Sequence, residues 1–323
     1  MKDQLTLSGD LLLQLRYGEN PHQKASFYTF AKSSSPLKKL KRLWGRELSL
    51  VNLTDINAGL EAVRLFEEPA AVVIKHNSPC GIALGKDGAQ ALQRAIDADP
   101  ESAFGGVIVL NRTFDDGCFK IVAQFKASGK GNFDIIAVPI LEKGVFEKLS
   151  ALRKSMGIYT FGKIPKKNGT NFNIKFVDGG FIVQNRDEVE KGFGSWEAVT
   201  KKKPTKKQLQ QMKIGWKFIS RIRSNCVLVV DQNLPKTCGI GSGQTSRVRA
   251  TKIALEQAGK KAQGGILVSD SFFPFADSVE LAIKAGISAV IQQGESINDA
   301  LSIEAANKAG IPMVLTHHRA FWH

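Results

Sequence analysis

Ala70-Ala71-Val72-Val73-Ile74 runs without a break into Lys75-His76-Asn77-Ser78-Pro79-Cys80-Gly81. A short unbroken apolar run reads as a buried strand of a covered sheet. The polar residues, proline and glycine that follow read as the corner that closes it. This corner sets an ammonium and an imidazole at the carboxyl end of a buried strand, the edge at which open α/β sheets collect ligands. Imidazole can accept a proton near neutral pH, so the pair is suited to acid–base chemistry. An ordinary strand-to-loop corner holds the same residue types, so the meaning of the pair depends on the rest of the chain.

Outward from this corner, strand-sized apolar runs recur at residues 72–74, 107–110, 135–138, 227–230, 266–268, 289–291 and 313–315. Helix-period stretches lie between several of them, at 88–97, 247–258, 278–285 and 296–309. Thr205-Lys206-Lys207-Gln208 fits a capping box, so a helix is expected to start there and run toward Arg221. The alternation predicts an α/β protein with substantially parallel sheets. A repeat is also visible: strand, proline corner, helix and further strands over 72–79, 105–110 and 135–139 are echoed from 266–274 onward. The loop-rich stretch 162–203 reads as the link between the copies, and the polar part 162–175 as an exposed loop. The halves are expected at residues 1–195 and 196–323.

The 323 residues suffice for two compact domains or one large duplicated one. No apolar run approaches membrane-spanning length, and Met1-Lys2-Asp3-Gln4 lacks the build of a secretory signal. Cys80, Cys118, Cys226 and Cys238 show no C-x-x-C spacing, which points to reduced thiols in a cytoplasmic protein. A net charge of +15 attracts small polyanions as well as nucleic acid. The lysine runs at 38–42, 166–167 and 201–207 lack interleaved aromatics that would stack on bases, so a solvated basic face is expected and no specific nucleic acid.

Other segments give the corner its company. Leu15-Arg16-Tyr17-Gly18-Glu19-Asn20-Pro21-His22-Gln23 is polar and turn-rich. Ser102-Ala103-Phe104-Gly105-Gly106 precedes one apolar run, and Phe133-Asp134 opens another. Ser224-Asn225-Cys226, Gly239-Ile240-Gly241-Ser242-Gly243-Gln244-Thr245-Ser246-Arg247 and Ser269-Asp270-Ser271-Phe272-Phe273-Pro274-Phe275 follow, and the chain ends Arg319-Ala320-Phe321-Trp322-His323. In this order the set resembles the AICAR transformylase domain of the bifunctional purine-biosynthesis family, over nearly the whole chain from Arg16 to His323. The resemblance implies an α/β fold of two duplicated, cytidine-deaminase-like three-layer α/β/α halves. Zinc deamination itself is excluded, because Pro79-Cys80 lacks the second cysteine and no His-x-Glu occurs in the chain; no metal is expected.

The implied reaction moves a formyl group from 10-formyltetrahydrofolate to the 5-amino group of AICAR, the aminoimidazole carboxamide ribonucleotide of purine synthesis. Such a transfer needs a base, oxyanion donors, cations for the phosphate and an apolar slot for the pterin. Of five histidines, His76 alone stands at a strand end beside a lysine and a turn. The resemblance gives the same roles, His76 as base and Lys75 as stabilising cation, and adds Asn225 as a residue orienting the substrate. An asparagine at 225 also suits the C-cap of the preceding helix. The family's nucleotide contacts fall on Arg16, Tyr17, Phe104, Gly105, Asp134, Arg247, Phe272, Arg319 and Phe321. Its folate contacts fall on Val248, Phe273, Pro274, Asp277, Ser296 and Ile297. The Gly239–Gly243 stretch reads as a phosphate-cradling loop without dinucleotide or P-loop spacing. The chain departs from the family pattern at Ser78, where asparagine is usual, and at Ala276, where arginine is usual. The resemblance further implies a homodimer with composite sites and a separate IMP cyclohydrolase in the cell, because no cyclohydrolase domain precedes Arg16 in this sequence. The competing expectation is a non-catalytic nucleotide- or RNA-binding protein on the same scaffold.

Overall fold

A computed structural model describes residues 4–165 and 172–323. Strands β1 (Asp10–Gln14) and β2 (Ser26–Thr29) form an antiparallel hairpin ahead of the first sheet. Next come β3 (Lys41–Trp44), α1 (Leu50–Val63), β4 (Ala70–Lys75), β5 (Ser78–Leu84), α2 (Gly88–Ala98) and β6 (Val107–Leu110). The first half continues through α3 (Asp116–Ala127), β7 (Ile135–Val138), α4 (Val145–Leu152) and β8 (Gly157–Thr160). A hairpin of β9 (Phe172–Val177) and β10 (Gly180–Asn185) leads to β11 (Glu197–Ala198). The second half then runs α5 (Lys206–Ile219), β12 (Val227–Val230), β13 (Thr237–Gly241), α6 (Arg247–Ala258) and β14 (Ile266–Ser269). It closes with α7 (Asp277–Lys284), β15 (Ala289–Gln292), α8 (Asp299–Lys308) and β16 (Met313–Leu315).

The α/β fold is borne out, and the two halves repeat one another. Each sheet has six strands, in the orders β3-β8-β7-β6-β4-β5 and β11-β16-β15-β14-β12-β13. In both, three neighbouring strands (β6, β7, β8 and β14, β15, β16) run parallel to one another and every other pairing is antiparallel, so the sheets are mixed and not mainly parallel. The repeat also differs in register from the expected one. β4 corresponds to β12, while the strand at 266–269 corresponds to β6, so the two proline corners are not equivalent positions. The misreading arose from β5 and β13, whose Pro and Gly residues mimic turns. Of the expected loop 162–175, residues 166–171 lie outside the described residues, and 172–175 already belong to β9.

Helix starts follow from local chemistry. Ser49 and Asn52 form a capping box on α1, and Thr205 with Gln208 forms the expected one on α5. Asp87 and Asp115 cap α2 and α3 by accepting from backbone N–H groups at 2.7 and 2.9 Å. Among the described residues no helix is long and apolar enough to cross a membrane.

The halves meet along β5 and β13. Ala83 bridges Lys236, Leu84 N–H donates to the Pro235 carbonyl at 2.8 Å, and Ile82 N–H donates to Thr237 Oγ1 at 3.1 Å. On these strands glycine lets a helix sit close. A Cβ at Gly81 would lie 2.1 Å from the Ala95 carbonyl oxygen, and one at Gly241 would lie 1.9 Å from that of Ala250. Gly239 and Gly241 are therefore the seat of α6 on β13 and not an anion cradle. We expect Gly241→Ala to cost about 1–3 kcal/mol, because the helix backbone must move aside. Urea unfolding should show a lower midpoint at an unchanged slope.

Candidate active site

At the end of β4 the corner is tighter than its sequence suggests. Lys75 pairs directly with Ser78, so His76 and Asn77 alone make the turn, with φ of 55° and 60°. Two positive φ values define the hairpin turn that matches strand twist. Contrary to the expectation from sequence, Pro79 and Gly81 do not make the turn; they lie inside β5. Left-handed backbone costs a non-glycine residue roughly 1–2 kcal/mol, so something must hold this turn. Asp55 on α1 does so, accepting the Asn77 N–H at 2.6 Å.

Other predicted residues collect around the turn. Lys75 Nζ donates to the Phe104 carbonyl at 2.9 Å and sits 5.7 Å from the centre of the Phe104 ring. Gly105 takes φ of 73° and donates its N–H to the Asn132 carbonyl. Asp134 opens β7 with its carboxylate between two arginines: Arg46 Nη1 donates at 2.6 Å and Arg153 Nη1 at 3.0 Å. Arg16 and Tyr17 are tied to the start of α1 through backbone bonds with Leu48 and Leu50. The Arg16 guanidinium donates to the Tyr17 hydroxyl at 2.9 Å. Because β4 runs against β6, this group lies at the amino ends of β6, β7 and β8. The strand-end rule thus places the ligand on the other side of these parallel strands.

The second group lies at the carboxyl ends of β14–β16, the end at which open α/β sheets collect ligands. Arg247 Nη2 donates to Asn225 Oδ1 at 2.8 Å and to Asp270 Oδ1 at 2.7 Å. Asp270 is fully buried, and its other oxygen accepts the Cys226 N–H at 2.8 Å. Asn225 is held from its far side too, its Nδ2 donating to the Gln244 carbonyl at 2.9 Å. It is not a helix cap, since α5 ends at Ile219 with Ser220 as its C-cap. Arg319 stacks on Phe321 at 4.5 Å, and Arg247 faces the same ring at 5.9 Å.

A shelf adjoins this group. Asn298 ties its two parts together by donating to the Pro274 carbonyl at 2.8 Å while its own N–H donates to Ser296 Oγ at 3.2 Å. Asp277 is exposed and Ile297 fully so, whereas Val248 and Phe272 are half-buried. Phe273 differs from expectation: its ring is fully buried in the second-half core, and its N–H donates to Gln292 at 2.7 Å. It supports the corner from beneath instead of lining an open slot. Among the described residues no hydrogen bond, ion pair or ring contact joins the Lys75–His76 group to the Asn225–Arg247 group.

Sequence reading missed Arg46, Arg153, Asp55 and Asn298, and quoted Asp270 without giving it a role.

The family model described as AICARFT/IMPCHase bienzyme matches residues 1–257. Three relatives bear the name Bifunctional purine biosynthesis protein PurH. That of Thermoanaerobacter sp. is 41% identical over 96% of this chain and 58% of its own length. That of Desulfitobacterium hafniense is 40% identical over 99% and 60%. That of Shouchella clausii is 42% identical over 96% and 58%. The chain thus spans about three-fifths of the length of these relatives. The matched stretch takes in the Lys75–His76 turn, Asn225 and Arg247, and the chain belongs to the AICARFT/IMPCHase bienzyme family.

Proposed function

We propose that this chain transfers the formyl group of 10-formyltetrahydrofolate to the 5-amino group of AICAR, giving formyl-AICAR and tetrahydrofolate. The observation that carries the reading is the exposed His76 at the tip of a fixed two-residue turn, with the Lys75 ammonium tethered beside it. In the reaction the amine nitrogen attacks the formyl carbon and gives up its proton to His76. Lys75 and Asn225 face the oxygen that gains negative charge. The bond from carbon to the folate nitrogen then breaks, and that nitrogen leaves with the proton. Arg16, Arg247 and Arg319 hold the phosphate, for which planar guanidinium groups suit paired oxygens. Phe104, Gly105 and Asp134 contact the nucleotide. Val248, Pro274, Asp277, Ser296 and Ile297 line the folate side, with Phe272 between the two ligands. No resident metal takes part in this scheme.

We assign ring closure to none of these residues, so formyl-AICAR is the expected product and cyclohydrolase activity is supplied separately. The work of such an enzyme is cytoplasmic. An absorbance assay for tetrahydrofolate, run with and without AICAR, tests the reading. AICAR-dependent turnover supports it; none, together with a mobility shift of RNA, would favour a binding protein instead.

The same reading includes a homodimer in which each site is composite. It is supported by the exposure of Phe275 and Ile297, at 61% and 102%, and by the lack, among the described residues, of any hydrogen bond, ion pair or ring contact between the two groups of one chain. A two-fold axis would bring the Lys75–His76 turn of one protomer to the Asn225–Arg247 group of the other. Mixing inactive His76→Ala and Asn225→Ala proteins should then restore turnover. A mixture as inactive as its parts would place each whole site within a single chain.

A further inference from the structure

The duplication holds a clue to how the histidine is presented. Asp55 is the sixth residue of α1 and Gln211 the sixth residue of α5, in helices that occupy equivalent places and both start at capping boxes. Each residue is 4% exposed. Each reaches the hairpin turn of its own half. Gln211 Nε2 donates to the carbonyls of Asp231 and Leu234, at 2.8 Å each, in the turn joining β12 to β13. Asp55 Oδ1 accepts the Asn77 N–H at 2.6 Å in the turn joining β4 to β5, and the His76 amide faces the same carboxylate. One device, a buried polar side chain braced against a turn, thus occurs twice with its polarity reversed.

The reversal follows from the turns. The second-half turn is longer and partly closes itself, because Asp231 Oδ1 accepts the N–H groups of Asn233 and Leu234 at 2.8 and 2.9 Å. The first-half turn has only His76 and Asn77, both left-handed and neither glycine. Successive left-handed residues turn their amides to one side, and a carboxylate accepts there without donating. Burial pushes the Asp55 carboxyl up, against the opposing effect of the Asn77 amide and His76. A buried acid is costly to keep, and the bond it accepts from the Asn77 amide offsets part of that cost.

We propose that Asp55 is the positioning residue of the His76 turn: from α1 it holds His76 and Asn77 left-handed, so that the imidazole is presented outward to the substrate. The catalytic consequence rests on the role proposed for His76; the structural one does not. Asp55→Ala should lower kcat about 10–100-fold, as a misplaced group does, with the KM for AICAR within about threefold. Asp55→Asn, whose side-chain carbonyl still accepts the amide, should keep most of the turnover. Asn77→Gly placed on Asp55→Ala should recover much of the loss, because glycine adopts positive φ without a brace. Hydrogen exchange at the Asn77 amide supplies a readout independent of activity, with protection lost in Asp55→Ala and kept in Asp55→Asn. If Asp55→Ala does not fold, Asn77→Gly in the Asp55→Ala background carries the same exchange measurement. Unchanged Asn77 protection without the carboxylate would overturn the proposal whatever His76 does. Lost protection with unchanged kcat would overturn the link to catalysis and leave the brace standing.

Discussion

His76→Ala is expected to lower kcat by ~10²–10⁴-fold, the usual contribution of a general base. Nucleotide affinity should change little. His76 acts on a proton that leaves only as the carbon–nitrogen bond forms, so it lowers the barrier without anchoring the ground state. The structure sharpens this expectation. The imidazole is exposed, and the turn is held through the Asn77 backbone amide, so alanine at position 76 removes the base without removing the brace. Single-turnover rates and equilibrium titration with AICAR check the two halves of the prediction. Turnover near that of the unaltered protein would mean that another group takes the proton.

Glu61→Gln should be among the most destabilising single changes in the chain. Glu61 on α1 accepts from Arg64 Nη1 and from Arg186 Nη1, each at 2.9 Å, and Arg221 lies close enough to interact. These groups come from α1, from the segment after β10 and from the end of α5, so one carboxylate ties both halves and the link between them. Burial alone would push the Glu61 carboxyl up, but Arg64, Arg186 and Arg221 outweigh it and hold it below its ordinary value of 4.5. Removing the negative charge leaves several guanidinium groups together in a poorly solvated place. Breaking a buried pair in this way costs about 3–5 kcal/mol, and the lower end applies because Arg186 is 29% exposed. The sign with pH follows. The folded-state value is depressed, so the stabilisation is present above the unfolded value and lost as pH falls through the folded one. Denaturant unfolding at neutral pH should show the loss, and the variant should lack the part of acid destabilisation due to Glu61. Equal stability of variant and parent at neutral pH would refute this account of the cluster.

Much of the scaffold was legible because burial leaves a plain signature. Val107–Leu110, Ile135–Val138, Val227–Val230 and Met313–Leu315 are strands with the expected bounds, and Arg247–Ala258 is a helix with the expected bounds. These segments are apolar runs or one-sided helices, whose patterns survive in any tertiary setting. β5 and β13 were not legible, since their glycines serve helix packing and mimic turns. That error shifted the repeat by one strand and hid the equivalence of α1 and α5. Asp55 and Gln211 became visible only once the helices were superposed in topology. The Arg46–Asp134 contact spans 88 residues of sequence and leaves no local trace. His76 and Lys75 stood out because a titratable pair at the end of an apolar run is conspicuous without any partner.

Transfer of an isotopically labelled formyl group tests the central claim most directly. Purified protein is incubated with AICAR and 10-formyltetrahydrofolate carrying carbon-13 in its formyl group, and the nucleotide is separated and weighed by mass spectrometry. The account predicts label on the 5-amino nitrogen of AICAR at a rate proportional to protein, reduced ~10²–10⁴-fold by His76→Ala. Nucleotide that binds yet stays unlabelled at every protein concentration, or label that appears equally fast with His76→Ala, would contradict it.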